Sequence, residues 1–96
     1  MVKRGLYRLN FCWNKDPGDP CTEIVKVYDI KEGLVRCKVL ARKCNEMTDK
    51  PCLFHPWGLK DWRSIHPTPI KRTDLLLYMT MPFVSDEMRH IIKGKL

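Results

Sequence analysis

The sequence predicts a mainly β fold of the α+β class: a small antiparallel barrel or meander followed by a short C-terminal helix. Three observations carry that expectation. Two β-branched-rich runs between Thr22 and Lys43 flank Asp29-Ile30-Lys31-Glu32-Gly33, the pattern of an antiparallel hairpin. Ahead of them, Leu6 to Trp13 alternates apolar and polar residues, as a half-buried strand does. Near the C-terminus, Met88, Ile91 and Ile92 recur at i, i+3 and i+4, which places them on one face of a helix.

In the first strand Tyr7, Leu9, Phe11 and Trp13 alternate with Leu6, Arg8, Asn10 and Cys12. Asn14 to Pro20, NKDPGDP, then breaks the ladder, because its prolines, glycine and aspartates specify a loop. In the second arm of the hairpin Val35, Cys37, Val39 and Ala41 alternate with Arg36, Lys38, Leu40 and Arg42. A strand of period two turns the first set to a core and the second set outward. Strands so closely connected suggest a meander with its core sheet over residues 5–43.

Cys44 to Pro51 is polar and reads as a loop, and Cys52-Leu53-Phe54 as a short strand. Residues 55–69, HPWGLKDWRSIHPTP, hold no sustained period, and each His-Pro restricts the chain to extended forms. They read as a long irregular loop pinned by tryptophans. Thr73-Asp74 resembles a helix start, with Leu75 to Met79 as one or two turns, although a strand suits the same residues. Ser85 then caps a helix over Asp86–Lys93, with acids at its start, Lys93 at its end and Gly94 beyond. Such a helix is too short to persist alone and must dock on the sheet. The expectation is a single β-rich domain over residues 1–96.

Composition narrows the class. A hydrophobic content of 44% beside 30% charged residues belongs to a folded chain rather than a disordered one. No apolar run approaches the ~18–20 residues of a membrane span. The N-terminal MVKRGLYRLNF lacks the apolar core of a secretory signal. Five cysteines, an odd number, argue for free thiols in a reducing cytoplasm rather than a secreted disulfide framework. The net charge of +7 is distributed: residues 1–48 carry ten Lys/Arg against six Asp/Glu, and residues 49–96 eight against five. A spread cationic surface favours an anionic partner.

The stretch VKVYDIKEGLVRCKVL, Val25 to Leu40, resembles the hairpins of SH3-like and Tudor-like small barrels, and the resemblance covers about residues 5–43. It implies an SH3-like barrel and no particular functional residue.

Catalytic constellations are missing from the pattern. Asp86-Glu87 are explained by the helix N-terminus, Asp16 and Asp19 by a turn, and no phosphate-binding glycine loop occurs. The protein is therefore read as a non-enzyme without a cofactor. A weak zinc alternative uses Cys44, Cys52 and His55, completed by Cys37 or His66; structural zinc sites usually show two tight ligand pairs, and this chain has one imperfect pair.

The basic and aromatic residues form the stronger candidate. Arg36, Lys38, Arg42 and Lys43 lie on one strand with no acid between Gly33 and Asn45; Trp57, Lys60, Trp62 and Arg63 come next in the irregular segment, then Lys71 and Arg72. Tryptophan and arginine dominate binding hot spots. The plainer reading is that exposed strand positions are ordinarily charged and that the tryptophans close the end of the core as a lid.

The leading expectation is a cytoplasmic protein-interaction module of accessory or inhibitor type, of the kind a phage encodes. It would engage a larger, nucleic-acid-associated complex with an acidic surface through the basic strand face and the Trp-rich loop. The alternative is direct nucleic-acid binding by the same surface, cations tracking phosphates and tryptophans stacking on bases. No membrane partner is expected, since the last helix has a narrow apolar face suited to packing.

Overall fold

The computed structural model describes residues 2–12, 20–44 and 54–95. The described chain is built on an antiparallel sheet. β1 (Gly5–Cys12), β2 (Pro20–Lys31) and β3 (Leu34–Cys44) are followed by β4 (Phe54–Gly58), α1 (Leu59–Ser64) and β5 (Thr68–Pro69). A 3-10 helix (Arg72–Thr80), β6 (Phe83–Val84) and α2 (Asp86–Lys95) complete it. The strand order is β4-β3-β2-β1-β5, with β6 pairing a further stretch of β3.

The expected hairpin is the centre of this sheet, and its arms are longer than the sequence suggests. Lys31 pairs with Leu34, so the turn contracts to Glu32-Gly33. Both have positive φ, 55° and 74°, which is the two-residue turn whose twist matches that of the flanking strands. Glycine enters that region freely; Glu32 does so at a cost that the pairing on either side offsets.

Two bulges interrupt the ladder. Ile24 opposes Ala41 but Val25 opposes Val39, which leaves Leu40 as the extra residue of β3. Val27 opposes Cys37 but Asp29 opposes Arg36, which leaves Tyr28 as the extra residue of β2. The bulge at Leu40 corrects the expected alternation. Val35, Cys37 and Val39 join one buried cluster as predicted, whereas Leu40 is buried rather than outward, and it joins Ala41 in a second cluster.

These two clusters occupy the two faces of the sheet, because alternate residues of β2 feed each: Val25 and Val27 the first, Ile24 the second. On the first, Leu9 and the hairpin valines pack under Trp62 of α1 and the adjoining Ile65. On the second, Ile24, Leu40 and Ala41 pack under Leu75 of the 3-10 helix and Met88 and Ile92 of α2. The C-terminal helix thus forms and docks on the sheet as expected, but it runs to Lys95, so Gly94 lies inside it rather than beyond its end. Ser85 caps it through its Oγ, which accepts the Met88 N–H at 3.1 Å. The Ser85 N–H donates to the Leu40 carbonyl at 2.7 Å, anchoring the helix entrance at the bulge.

Four expectations need correction. The sheet does not close, so the SH3-like barrel is not formed. The chain bears Pro56 in β4 and Pro69 in β5, at the two ends of the strand order, and a residue without an N–H suits an edge and weakens further pairing. Residues 55–69 are not an irregular loop: they hold most of β4, all of α1 and β5. The Leu59 N–H donates to Gly33 O, and Asn10 N–H donates to Ile65 O, which ties this stretch to the hairpin turn and to β1. Residues 74–80 take the helical alternative rather than the strand, but as part of a 3-10 helix entered from Lys71 and not capped by Thr73. Finally, Cys21 is disulfide-bonded, against the expectation of free thiols, whereas Cys37 is a free, buried cysteine. Among the described residues no helix is long and apolar enough to cross a membrane.

Candidate functional site

The cationic strand expected from the sequence is divided by the fold. Lys38 reaches α2, where its Nζ lies 2.6 Å from Glu87 Oε2, and Lys26 joins the same carboxylate at 3.4 Å. The Lys38 hydrogen bond, with the charges of both lysines, holds the Glu87 carboxyl below the usual carboxylate range. Beyond the Leu40 bulge, Arg42 falls in the row of Glu23 and Leu9, on the other face. Its Nε lies 3.4 Å from Oε2 of Glu23, which is fully buried. Two of the four strand cations are therefore engaged by carboxylates on opposite sides of the sheet. Arg36 is exposed towards the hairpin end, and Lys43 is exposed near the opposite end.

The aromatic half of the expected site is also redistributed. Trp62 is only 3% exposed and meets Tyr7 edge-on, with ring centroids 5.3 Å apart. Trp57 is half-buried against the same cluster. Trp57 and Trp62 pack as the lid, so the Trp62 ring has no free face for a base. Lys60 and Arg63 stay exposed on α1, while Lys71 and Arg72 are exposed at the start of the 3-10 helix. The ten residues do not converge on one surface.

Cys52 and the side chains of Cys44 and His55 lie outside the described residues, so the zinc alternative falls there. Its suggested fourth ligands differ in setting: Cys37 is in the core and His66 is exposed. Burial, with the nearby Glu23 charge, pushes the Cys37 thiol up to about 12, so it is protonated at neutral pH and unsuited as a nucleophile. Among the described residues no cluster of His, Cys, Asp or Glu could hold a metal ion.

A different site emerges on the second face. Asn10, Thr22 and Lys43 stand in one row across β1, β2 and β3, and Arg8 lies two residues from Asn10 on the same face of β1. The Thr22 hydroxyl donates to Asn10 Oδ1 at 3.1 Å, fixing the middle of the row. The 3-10 helix and its exit wall this floor, and together they enclose an open cleft of about 530 Å³. The wall supplies Leu77, Tyr78 and Met81; no carboxylate among the described residues lines the cleft. Arg8 Nε is buried and lacks a hydrogen-bond partner among the described residues. The site therefore couples positive charge to an apolar wall.

The same helix carries the three most exposed large apolar side chains of the described chain: Leu76 is 53% exposed, Leu77 68% and Met79 42%. Lys43 belonged to the sequence-based set, but Arg8 and the helix wall did not. The available signals were the outward phase of Arg8 in β1 and the apolar run Leu75 to Met79. Neither shows that the two regions meet.

Comparison with known proteins adds no relative: no family model matches the chain, and neither the curated proteins nor the solved structures contain a match to it.

Proposed function

We propose that this protein is a non-catalytic interaction module, an accessory or inhibitor that docks on a larger protein assembly through the outer side of its 3-10 helix. The observation that carries the reading is the exposure of Leu76, Leu77 and Met79 on one short element. Large apolar side chains grouped on a surface are the signature of a contact face rather than of ordinary solvent exposure. The element is held in place from below, since Leu75 is buried and Tyr78 packs against the second cluster. A partner would therefore meet a preformed ridge, which reduces the ordering cost of binding.

The net charge of +7 suits an assembly with an acidic surface, including one that handles nucleic acid. Direct nucleic-acid binding has less support, because the strand cations are divided between faces and Trp62 is buried.

The test is a pair of measurements on the wild-type chain and the L76D/L77D variant. Affinity capture followed by reconstitution with the purified captured protein should give a defined complex that the variant loses while its thermal melt is unchanged. Titration into labelled single- and double-stranded DNA and RNA should give weak binding insensitive to L76D/L77D. Tight binding to nucleic acid with a steep loss between ~50 and ~200 mM salt would replace the protein-docking reading by the nucleic-acid one. Concentration-dependent self-association abolished by L76D/L77D would assign the ridge to a second copy of the chain.

A further inference from the structure

We infer that the cleft beside the ridge is a carboxylate receptor, which selects partner segments carrying Glu or Asp next to large apolar residues. The inference rests on the docking reading and adds its chemical specificity.

The two halves of the cleft point to one kind of occupant. Its floor brings Arg8 and Lys43 to the same cavity, with Asn10 and Thr22 between them and no acid among the described lining residues. Two cations lining one cavity, with no carboxylate among the described lining residues, complement an entering anion. Arginine also offers the planar fork that matches a carboxylate, and lysine adds a point charge.

The wall excludes the simplest anion as the best occupant. Leu77, Tyr78, Met81 and Pro82 line one side, and they gain from apolar contact that inorganic phosphate cannot provide. Leu77 belongs to both the cleft and the exposed ridge. A partner segment whose apolar residue covers Leu77 thus has a neighbouring side chain within the cationic cleft. The Lys26 and Lys38 ammonium groups do not compete for it, since both are held by Glu87.

The experiment uses the full chain labelled with nitrogen-15 and titrated with acetyl-Leu-Leu-Glu-Glu-amide, with acetyl-Leu-Leu-Gln-Gln-amide and with inorganic phosphate. The Glu peptide should shift the amides of Arg8, Asn10, Thr22 and Lys43 and those of residues 77–82. The Gln peptide should bind about tenfold or more weakly, as expected for loss of a charge-assisted contact. The R8Q/K43Q variant should bring the Glu peptide down to the level of the Gln peptide. Should that variant melt early, K43Q alone, at an exposed position, carries the comparison. Equal binding of the two peptides would overturn the carboxylate receptor while leaving an apolar docking ridge intact. Shifts confined to another surface, or no binding by the Glu peptide, would overturn it too, and the L76D/L77D measurement would then decide the docking reading by itself. Phosphate binding as tightly as the Glu peptide at the same amides would assign the cleft to free anions and overturn the protein-segment occupant.

Discussion

β3 makes two ion pairs whose environments differ sharply. Arg42 meets a fully buried Glu23 on the face covered by α1, whereas Lys38 meets a half-buried Glu87 on the face covered by α2. Along the strand, both cations have the same apparent phase and would point to the same solvent. The extra residue at Leu40 separates them. Before the bulge the outward side carries Lys38; after it, the register turns Arg42 to the opposite face and buries Leu40. A count of cations along a strand is therefore not a measure of a cationic surface when the ladder is bulged.

The contrast predicts unequal costs for removing each partner. Arg42→Ala should destabilise by about 3–5 kcal/mol, because the Glu23 carboxylate loses its neighbouring cation in a buried site. Chemical denaturation would measure it, and the apolar double replacement E23L/R42M should recover much of the loss. A cost for Arg42→Ala no larger than that of an exposed pair would remove the distinction between the two faces.

Position 40 tests the bulge that sets the two pairs apart. If Leu40 were outward, as strict alternation implies, Leu40→Lys would change stability by no more than about 0.5 kcal/mol. With Leu40 fully buried among Ile24, Met88 and Ile92, the loss should be at least that of a large-to-small core substitution, about 2–5 kcal/mol. A denaturant midpoint decides between them.

Glu87→Gln should show the smallest effect, about 0–1 kcal/mol at neutral pH, since its partners are partly exposed and salt-screened. Its pH dependence carries the information. The folded-state carboxyl lies below its unfolded value, so its contribution is complete above the unfolded carboxylate pKa and is lost as the pH falls through the folded one. The difference between wild type and E87Q should therefore shrink on acidification and vanish once Glu87 is protonated in both states. A difference that grows with acid would contradict the pairing.

Much of the architecture was legible in local pattern. The hairpin, the first strand and the capped C-terminal helix arise from β-branched alternation, from a glycine in the turn, and from Ser85 preceding an apolar i, i+3, i+4 face. Each is a nearest-neighbour or single-turn property, so a short window contains the physics. The candidate site was not legible in this way. Arg8, Thr22, Lys43 and Leu77 are distant in sequence, and the register of three strands and the packing of the 3-10 helix bring them together.

The amino-acid order fixes charge, strand propensity, a hairpin turn that includes Gly33 and the cap at Ser85, because these depend on each residue and its immediate neighbours. Which cations stay available, which face Arg42 takes, and whether the strands close on themselves depend on where the ladder slips and on what covers each face. Those outcomes belong to the packed whole. A one-residue bulge costs little locally, yet it reverses the side of the sheet taken by every later residue of the strand. The bulge sets which cluster each residue joins: Val39 falls in the first, and Leu40 and Ala41 in the second.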